Sequence, residues 1–435
     1  MNIYKYESAF GAGDITTRPM RRAIGEWFDL YYHAAPDDNR DPCQRIAYTV
    51  VSKLVRSVFG EYKLQIPGTF GKSLTAQLNN IKEKALQLAL IGGECYLKPC
   101  PQSAGFSFTL MDRTQVLVFG RNAAGEPVDM GCVEQSVRGQ YYYTLLERRR
   151  LNSDGLLVLE NALYRSRTPD HLGVRVKLTE HPDYQNLAER YVFSQPVGLG
   201  LVRLKTPMFN CVDGSSDGVS VYAAAAGLIR NIDENEAQLA GEFRRGQSRV
   251  FLSSDLLRDK QLQDHLFVGL DEDPEHVGME IFAPQLREQS FLARKQEYLR
   301  NVESIIGLKR GMLSDANVED RTATEISASA GEFNLTVIDF QQVWSKCVEQ
   351  TYALCRVLGA LYGMQVGAPE TVTIDWGNGT LYDEDKLWAA YVQMVDKGLL
   401  RPEIALGWRF NMSAETEADC AAIRAKLMPT AVENG

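Results

Sequence analysis

The chain from residue 302 to residue 335 reads VESIIGLKRGMLSDANVEDRTATEISASAGEFNL. Helically spaced apolar residues precede this stretch and stop at Gly307, a residue type that readily closes a helix. The 14 residues that follow, 308–321, are polar and aperiodic, which predicts a loop. Thr322 then offers an N-cap, and Glu325 three residues later completes a capping box. The stretch therefore predicts a helix, a loop and a second helix in direct succession.

Both flanking segments are predicted to be long helices. In the first, over 285–307, Leu299 and Val302 lie on the apolar side. The second, over 322–365, keeps a helical period almost to its end. Gly331 is its expected kink point, because glycine weakens a helix locally.

Another helix is predicted upstream, within residues 207–246. A polar breaker precedes it, and Gly246 ends it. The residues placed on its apolar face are Val221, Ala225, Leu228, Ile232, Leu239 and Phe243. Between this helix and the next, residues 247–284 contain two strand-like pieces around a polar excursion, which predicts a small β insertion between two antiparallel helices.

The first 206 residues have the pattern of an α+β domain. Helices are predicted over 44–60 and 73–91, the second ended by Gly92-Gly93. A hairpin-rich antiparallel sheet is predicted after them, with strands over 95–98, 106–110, 115–119, 128–133, 141–146 and 155–165. Residues 366–435 are predicted to form a strand and small helices.

Composition narrows the function classes. The net charge is −9, from 47 basic and 56 acidic residues. A tight nucleic-acid binder usually shows a basic excess, whereas DNA slides more easily past a mildly acidic surface. The eight cysteines contain no CxxC pair, which indicates reduced thiols and gives no metal site. No apolar run is long enough for a membrane span, and no cofactor motif is present.

The order of these elements resembles that of tailed-bacteriophage portal proteins, the head–tail connectors: wing, stem, clip, stem, tunnel loop, long kinked helix and crown. Short motifs support the resemblance and fall in the family's order along residues 40–430: Ser220-Val221-Tyr222, Phe243-Arg244-Arg245-Gly246, Arg249-Val250-Phe251, Thr322-Ala323-Thr324-Glu325-Ile326 and Leu400-Arg401-Pro402-Glu403. The resemblance implies a wing over 1–206, a clip over 247–284 and a crown-like end over 366–435.

By this resemblance the protein is a non-enzymatic subunit of a homo-oligomeric ring of about twelve copies. The ring lies at one capsid vertex in the virion and is assembled in the host cytoplasm. Double-stranded DNA passes through it during packaging and ejection. The implied partners are the terminase large subunit, head-completion or adaptor proteins, and the major capsid and scaffolding proteins.

The resemblance also implies roles for individual residues. The loop 308–321 projects into the channel and carries Lys309, Arg310, Asp315, Asn317, Glu319 and Asp320. The two cations contact phosphates or, alternatively, only complement the dipole at a helix C-terminus. The residues implied in packing of the stem helices and of neighbouring subunits are Val221, Ala225, Leu228, Ile232, Leu299 and Val302.

Three alternatives remain at this point. Residues 214–218 match the GxSxG pattern of a serine hydrolase, with Ser216 as nucleophile and His265 or His276 downstream, although no convincing strand precedes the serine. The acidic run 271–273 matches either a divalent-cation loop or a solvated loop. The third alternative is a head–tail adaptor ring, against which the long α+β region counts.

Overall fold

The computed structural model of the 435-residue chain describes most of the sequence. The described ranges are 3–33, 42–102, 105–246, 249–253, 267–270, 280–282, 286–315, 323–377, 384–410, 412–414 and 416–428. Within them, the side chains of 249–253, 267–270, 280–282, 323–330 and 384–387 are not described.

The described residues fall into two regions: an N-terminal region that contains both helices and strands, and a remainder that is mainly helical. The helices are α1 (Glu7–Phe10), α2 (Arg18–Tyr32), α3 (Ile46–Phe59), α4 (Gly68–Gly92), α5 (Ala226–Arg245), α6 (Glu288–Ile306), α7 (Ala323–Leu361), α8 (Glu384–Asp396), α9 (Pro402–Arg409) and α10 (Glu417–Leu427). The strands are β1 (Lys63–Gln65), β2 (Glu94–Gln102), β3 (Gly105–Asp112), β4 (Val116–Arg121), β5 (Pro127–Arg138), β6 (Tyr141–Leu151), β7 (Leu157–Ser166), β8 (Val174–Val176), β9 (Arg190–Val192), β10 (Val202–Lys205), β11 (Arg249–Ser253), β12 (Phe267–Leu270), β13 (Glu280–Phe282) and β14 (Thr373–Asp375).

Antiparallel sheets dominate the N-terminal region. Among the described residues, six strands form one sheet in the order β4-β5-β6-β7-β8, with β9 also paired to β7. A second sheet has the order β10-β2-β3. The chain is therefore α+β, as predicted. The six strands predicted between residues 95 and 165 correspond to β2–β7, whose alternating apolar residues and turn glycines gave a clear signal.

Helix α4 joins the helical layer to the sheets. It ends where predicted: Gly93 has φ 82° and its N–H donates to the carbonyl of Ala89. A Cβ at Gly93 would overlap the backbone of Gly218, so only glycine permits this close approach. Helix α2 packs near α4, and its Trp27 is 1% exposed. The backbone carbonyl of Trp27 accepts a hydrogen bond from the Tyr222 hydroxyl at 2.7 Å.

Two sequence expectations need correction. The helix predicted within 207–246 begins at Ala226, after a 3-10 turn at Ala223–Ala225, so Val221 precedes it. The Val221 N–H donates to the carbonyl of Leu90 at 3.0 Å, which holds that residue against α4. The β insertion also contains β12, parallel to β11, which was not predicted beside the antiparallel pair β11 and β13.

The chain divides into two compact units. The first comprises Met1–Phe59 and Leu64–Ile374, and it holds the sheets, α1–α7 and the loop after α6. Its long helix α7 is anchored by Trp344, which is fully buried and lies edge-on to Phe59 at a ring distance of 5.4 Å. The second comprises Gly60–Lys63 and Asp375–Gly435, with α8–α10.

Candidate functional site

Helices α5 and α6 lie side by side and run antiparallel. Asn235, 1% exposed, donates from Nδ2 to the carbonyl of Phe291 at 3.0 Å. Towards the other end of the pair, Arg287 donates twice to Glu242, at 3.0 and 2.9 Å. These hydrogen bonds from Arg287 lower the pKa of the Glu242 carboxyl. The residue numbers of these contacts rise along α5 and fall along α6, so the two helices form an antiparallel helical hairpin.

The loop after α6 is fixed at its root by Glu303. This side chain is fully buried in the last turn of α6 and accepts backbone N–H groups of Gly311 (3.1 Å), Leu313 (2.5 Å) and Ser314 (2.9 Å) on Oε1. Its Oε2 accepts the Ser314 hydroxyl at 2.8 Å. Gly307, at φ 76°, ends the helix and turns the chain back towards this carboxyl group. The loop therefore leaves the helix pair from an ordered base.

The residues predicted to face a channel differ in their placement. Arg310 and Asp315 are exposed, and Lys309 is half-buried. The Asp315 N–H donates to Gln296 of α6 at 2.8 Å, so the described part of the loop folds along its own helix. Asn317, Glu319, Asp320 and Thr322 lie outside the described residues. Glu325 lies in α7 without a described side chain, and Gly331 is exposed within that continuous helix.

The residues predicted for stem and subunit packing lie mostly inside the chain. Five are buried, at 0–5% exposure: Val221, Ala225, Ile232, Leu299 and Val302. Leu228 is half-buried, while its neighbour Ile229, which the sequence reading missed, is buried. The apolar stripes of α5 and α6 thus face each other and the rest of the same chain. The assignment of these residues to stem and subunit packing stays a prediction.

Other apolar side chains of the same helices are exposed. Phe243, expected on the apolar face of α5, is 44% exposed near the C-terminal end of that helix. Leu292 and Ile305 of α6 are 39% and 49% exposed, and Leu335 of α7 is 64% exposed. Helical periodicity places Phe243 on the apolar stripe of α5, so the sequence period alone does not identify these exposed positions.

A buried charged cluster connects the sheet region to the start of α5. Glu94 is 0% exposed and accepts from Arg203 Nη2, the Tyr96 hydroxyl and the Gly218 N–H, each at 2.5 Å. Burial raises the pKa of Glu94, but Arg203 and Arg113 outweigh it and hold that pKa well below its ordinary value. The cluster fixes the chain just before α5. No local motif marks it, since its members are distant in sequence.

A second buried pairing lies within the main sheet. Glu147 is 2% exposed, 2.6 Å from Arg149 Nε and 3.2 Å from Lys98 Nζ. Burial raises the pKa of Glu147, but the two cations lower it overall to about 2. This carboxyl is therefore ionised across the neutral range and stabilises the sheet electrostatically.

The predicted GxSxG segment is a loop without nucleophile geometry. No strand leads into Ser216, whose Oγ donates to the Gly125 carbonyl at 3.0 Å. The Ser216 carbonyl accepts from Arg203 (3.0 Å) and Lys205 (2.9 Å). The proposed bases, His265 and His276, lie outside the described residues. The geometry of this segment is that of a structural turn.

Across the described ranges, no group of three or more His, Cys, Asp or Glu side chains is placed to hold a metal ion. The acidic run 271–273 lies outside those ranges. None of the described helices is both long and apolar enough to cross a bilayer. Cys347 and Cys355, both on α7, are buried at 2% and 0% exposure.

Comparison with known proteins gives one family. The model of the family described as "Phage portal protein, SPP1 Gp6-like" matches residues 74–425, from α4 to α10. Among solved structures, a chain from the neck of a native GTA particle, computed with C12 symmetry, superposes with a TM-score of 0.46 at 13% identity. The match covers 92% of this chain and 96% of that one. No curated protein matches the sequence.

Proposed function

Because this chain belongs to the SPP1 Gp6-like phage portal protein family, we propose that it forms the ring-shaped channel at one capsid vertex through which double-stranded DNA is packaged and ejected. The observation that carries the proposal is the extent of the family match, which includes the sheet region, the α5–α6 hairpin, the loop and α7. In this proposal the protein acts mechanically, and Ser216 has no catalytic role.

The exposed apolar residues of the helices support ring formation. Phe243, Leu292, Ile305 and Leu335 are each more than a third exposed, on α5, α6 and α7. Apolar surface of this kind is stabilised when a neighbouring subunit covers it. A head-to-tail contact that closes on rotation produces a ring. We place the subunit contacts at these residues and the ring at about twelve copies.

The loop after α6 is proposed to meet the DNA. The carboxyl of Glu303 anchors its root by accepting the N–H groups of Gly311 and Ser314 and the Ser314 hydroxyl. Lys309 and Arg310 supply positive charge for phosphates, while Asp315, Asn317, Glu319 and Asp320 add neutral or negative groups. Weak net attraction suits passage, since each phosphate contact must break before DNA advances.

The proposed partners follow from the portal role. The β insertion between α5 and α6 is the expected docking side for the terminase large subunit and later for head-completion or adaptor proteins. Major capsid and scaffolding proteins surround the ring in the virion. These partners fit a subunit assembled in the host cytoplasm before packaging begins.

Charge reversal of the loop tests the proposal. A particle-forming system lacking the native gene is complemented with Lys309→Glu/Arg310→Glu, and nuclease-protected DNA per particle is measured. The matched control reverses two exposed cations of α2, Arg18→Glu/Arg22→Glu. The loop variant should form normal rings and hold less DNA than the control. Normal DNA content in the loop variant would show that these two cations do not act on DNA, and particles that package DNA without any copy of this protein would refute the portal role.

A further inference from the structure

One aromatic side chain projects from the sheet region with no cover. Phe209 is 95% exposed, in the loop between β10 and α5. The loop around it is nevertheless ordered by Asn210, whose Nδ2 donates to Asp213 Oδ1 (2.8 Å) and whose Oδ1 accepts the N–H groups of Val212 (2.9 Å) and Asp213 (3.1 Å). A phenyl ring held in water by a rigid loop is a ready contact for another surface.

A cleft lined by two tyrosines, two valines and six polar or charged residues lies elsewhere on the same unit. It has a volume of ≈ 380 Å³ and is bounded by α2, α3 and α4. Its apolar wall comprises Tyr31, Tyr48, Val51 and Val55, with Tyr48 53% exposed. The rings of Tyr31 and Tyr48 are 5.8 Å apart and tilted by 45°, an arrangement that a third aromatic ring can extend.

Within one chain the two features stand at opposite ends of α2. The Phe209 loop is tied to the N-terminal end, where the Thr17 hydroxyl donates to Asp213. Tyr31 lies near the C-terminal end, and its hydroxyl accepts from Gln87 at 2.6 Å. Fourteen residues of helix separate Thr17 from Tyr31, which is about 21 Å at 1.5 Å per residue. The phenyl ring therefore stays clear of the cleft of its own chain.

We propose that Phe209 of one subunit inserts into the Tyr31–Tyr48 cleft of the next copy of this chain. The inference rests on the proposed ring, whose head-to-tail symmetry requires two different surfaces on each subunit. The Phe209 side chain and the Tyr31–Tyr48 cleft, at the two ends of α2, are two such surfaces, and each copy of the chain uses both. This contact adds to the subunit contacts on α5, α6 and α7 that are proposed above.

Truncation of the Phe209 side chain gives the first test. Phe209→Ala removes a side chain that is 95% exposed in its own chain, so we expect folding to be preserved. Burying a phenylalanine side chain corresponds to a tenfold to hundredfold change in an association constant, roughly. The protein concentration at half-assembly, from light scattering, should rise by about that factor. The control Phe410→Ala removes another exposed phenylalanine (57%) and should leave assembly unchanged.

Photo-crosslinking gives the second test and separates the outcomes. The full chain carrying Phe209→p-benzoylphenylalanine is assembled and irradiated, and cross-linked peptides are identified by mass spectrometry. Adducts between subunits on residues 48–56 or 80–87 are expected. Rings that assemble yet give no adduct there, or assembly that is unchanged by Phe209→Ala, would overturn the contact alone. A wild-type chain that stays monomeric would instead contradict the proposed ring and this contact with it.

Discussion

Removing the Glu303 carboxyl should free the root of the loop after α6. Its oxygens accept four hydrogen bonds from Gly311, Leu313 and Ser314 at 2.5–3.1 Å. Hydrogen bonds to a charged group contribute about 1.5–3 kcal/mol each when buried. Because Gly311 and Leu313 are half-buried and can bond to water instead, we expect Glu303→Ala to cost about 3–5 kcal/mol locally, well short of the full sum. Glu303→Gln keeps one acceptor oxygen and should cost less.

Hydrogen exchange measures this effect directly. A loss of 3 kcal/mol or more corresponds to amide exchange that is over a hundredfold faster, roughly, at Gly311, Leu313 and Ser314. Glu297→Gln is the control, because that side chain is 63% exposed on the same helix. The control should leave the exchange of these amides unchanged. If Glu303→Ala also leaves their protection unchanged, the carboxyl does not anchor the loop and the reasoning is refuted.

Three further predictions concern stability and assembly. The folded-state pKa of Glu147 is lowered from 4.5 to about 2, so its stabilisation is present above pH 4.5 and is lost as pH falls towards 2; urea midpoints measured against pH should fall less steeply over that window for Glu147→Gln than for wild type. Arg203→Ala leaves Glu94 buried without its closest cation and should lower the free energy of unfolding by about 3–5 kcal/mol; an unchanged denaturation curve would contradict the buried cluster. Leu335→Ser should leave unfolding within about 0.5 kcal/mol of wild type yet weaken ring assembly, whereas Leu299→Ala should cost about 2–5 kcal/mol of folding stability; equal effects of both on unfolding would contradict their different burial.

Elements with strong periodicity could be predicted from sequence. The strands β2–β7 alternate and end at turn residues, and α4 has regular apolar spacing followed by Gly92-Gly93. Helix α2 was missed although its signals are present: the Thr17 side chain caps it by accepting the Met20 N–H at 3.3 Å, and proline stands in its first turn. The short strands β8, β9 and β12 have too few residues to show a period.

The candidate site was less accessible to prediction. The sequence predicted the loop 308–321 between two helices. It did not predict that Glu303 is buried, because this burial depends on the loop backbone returning towards α6. Sequence also placed Val221 in a helix, whereas a hydrogen bond to Leu90 holds it in the segment before α5. Period alone identifies an apolar face and does not say whether its own chain or a neighbour covers it. That is why the sequence did not separate positions buried within the chain, such as Ile232 and Val302, from the exposed Leu335.

The mass of the purified full-length chain in solution, with images of the same fraction, tests the central claim most directly. The account predicts a closed ring of about a dozen chains with a central opening wide enough for a DNA duplex. A monomer or dimer at every protein concentration, or an assembly without an opening, would contradict it.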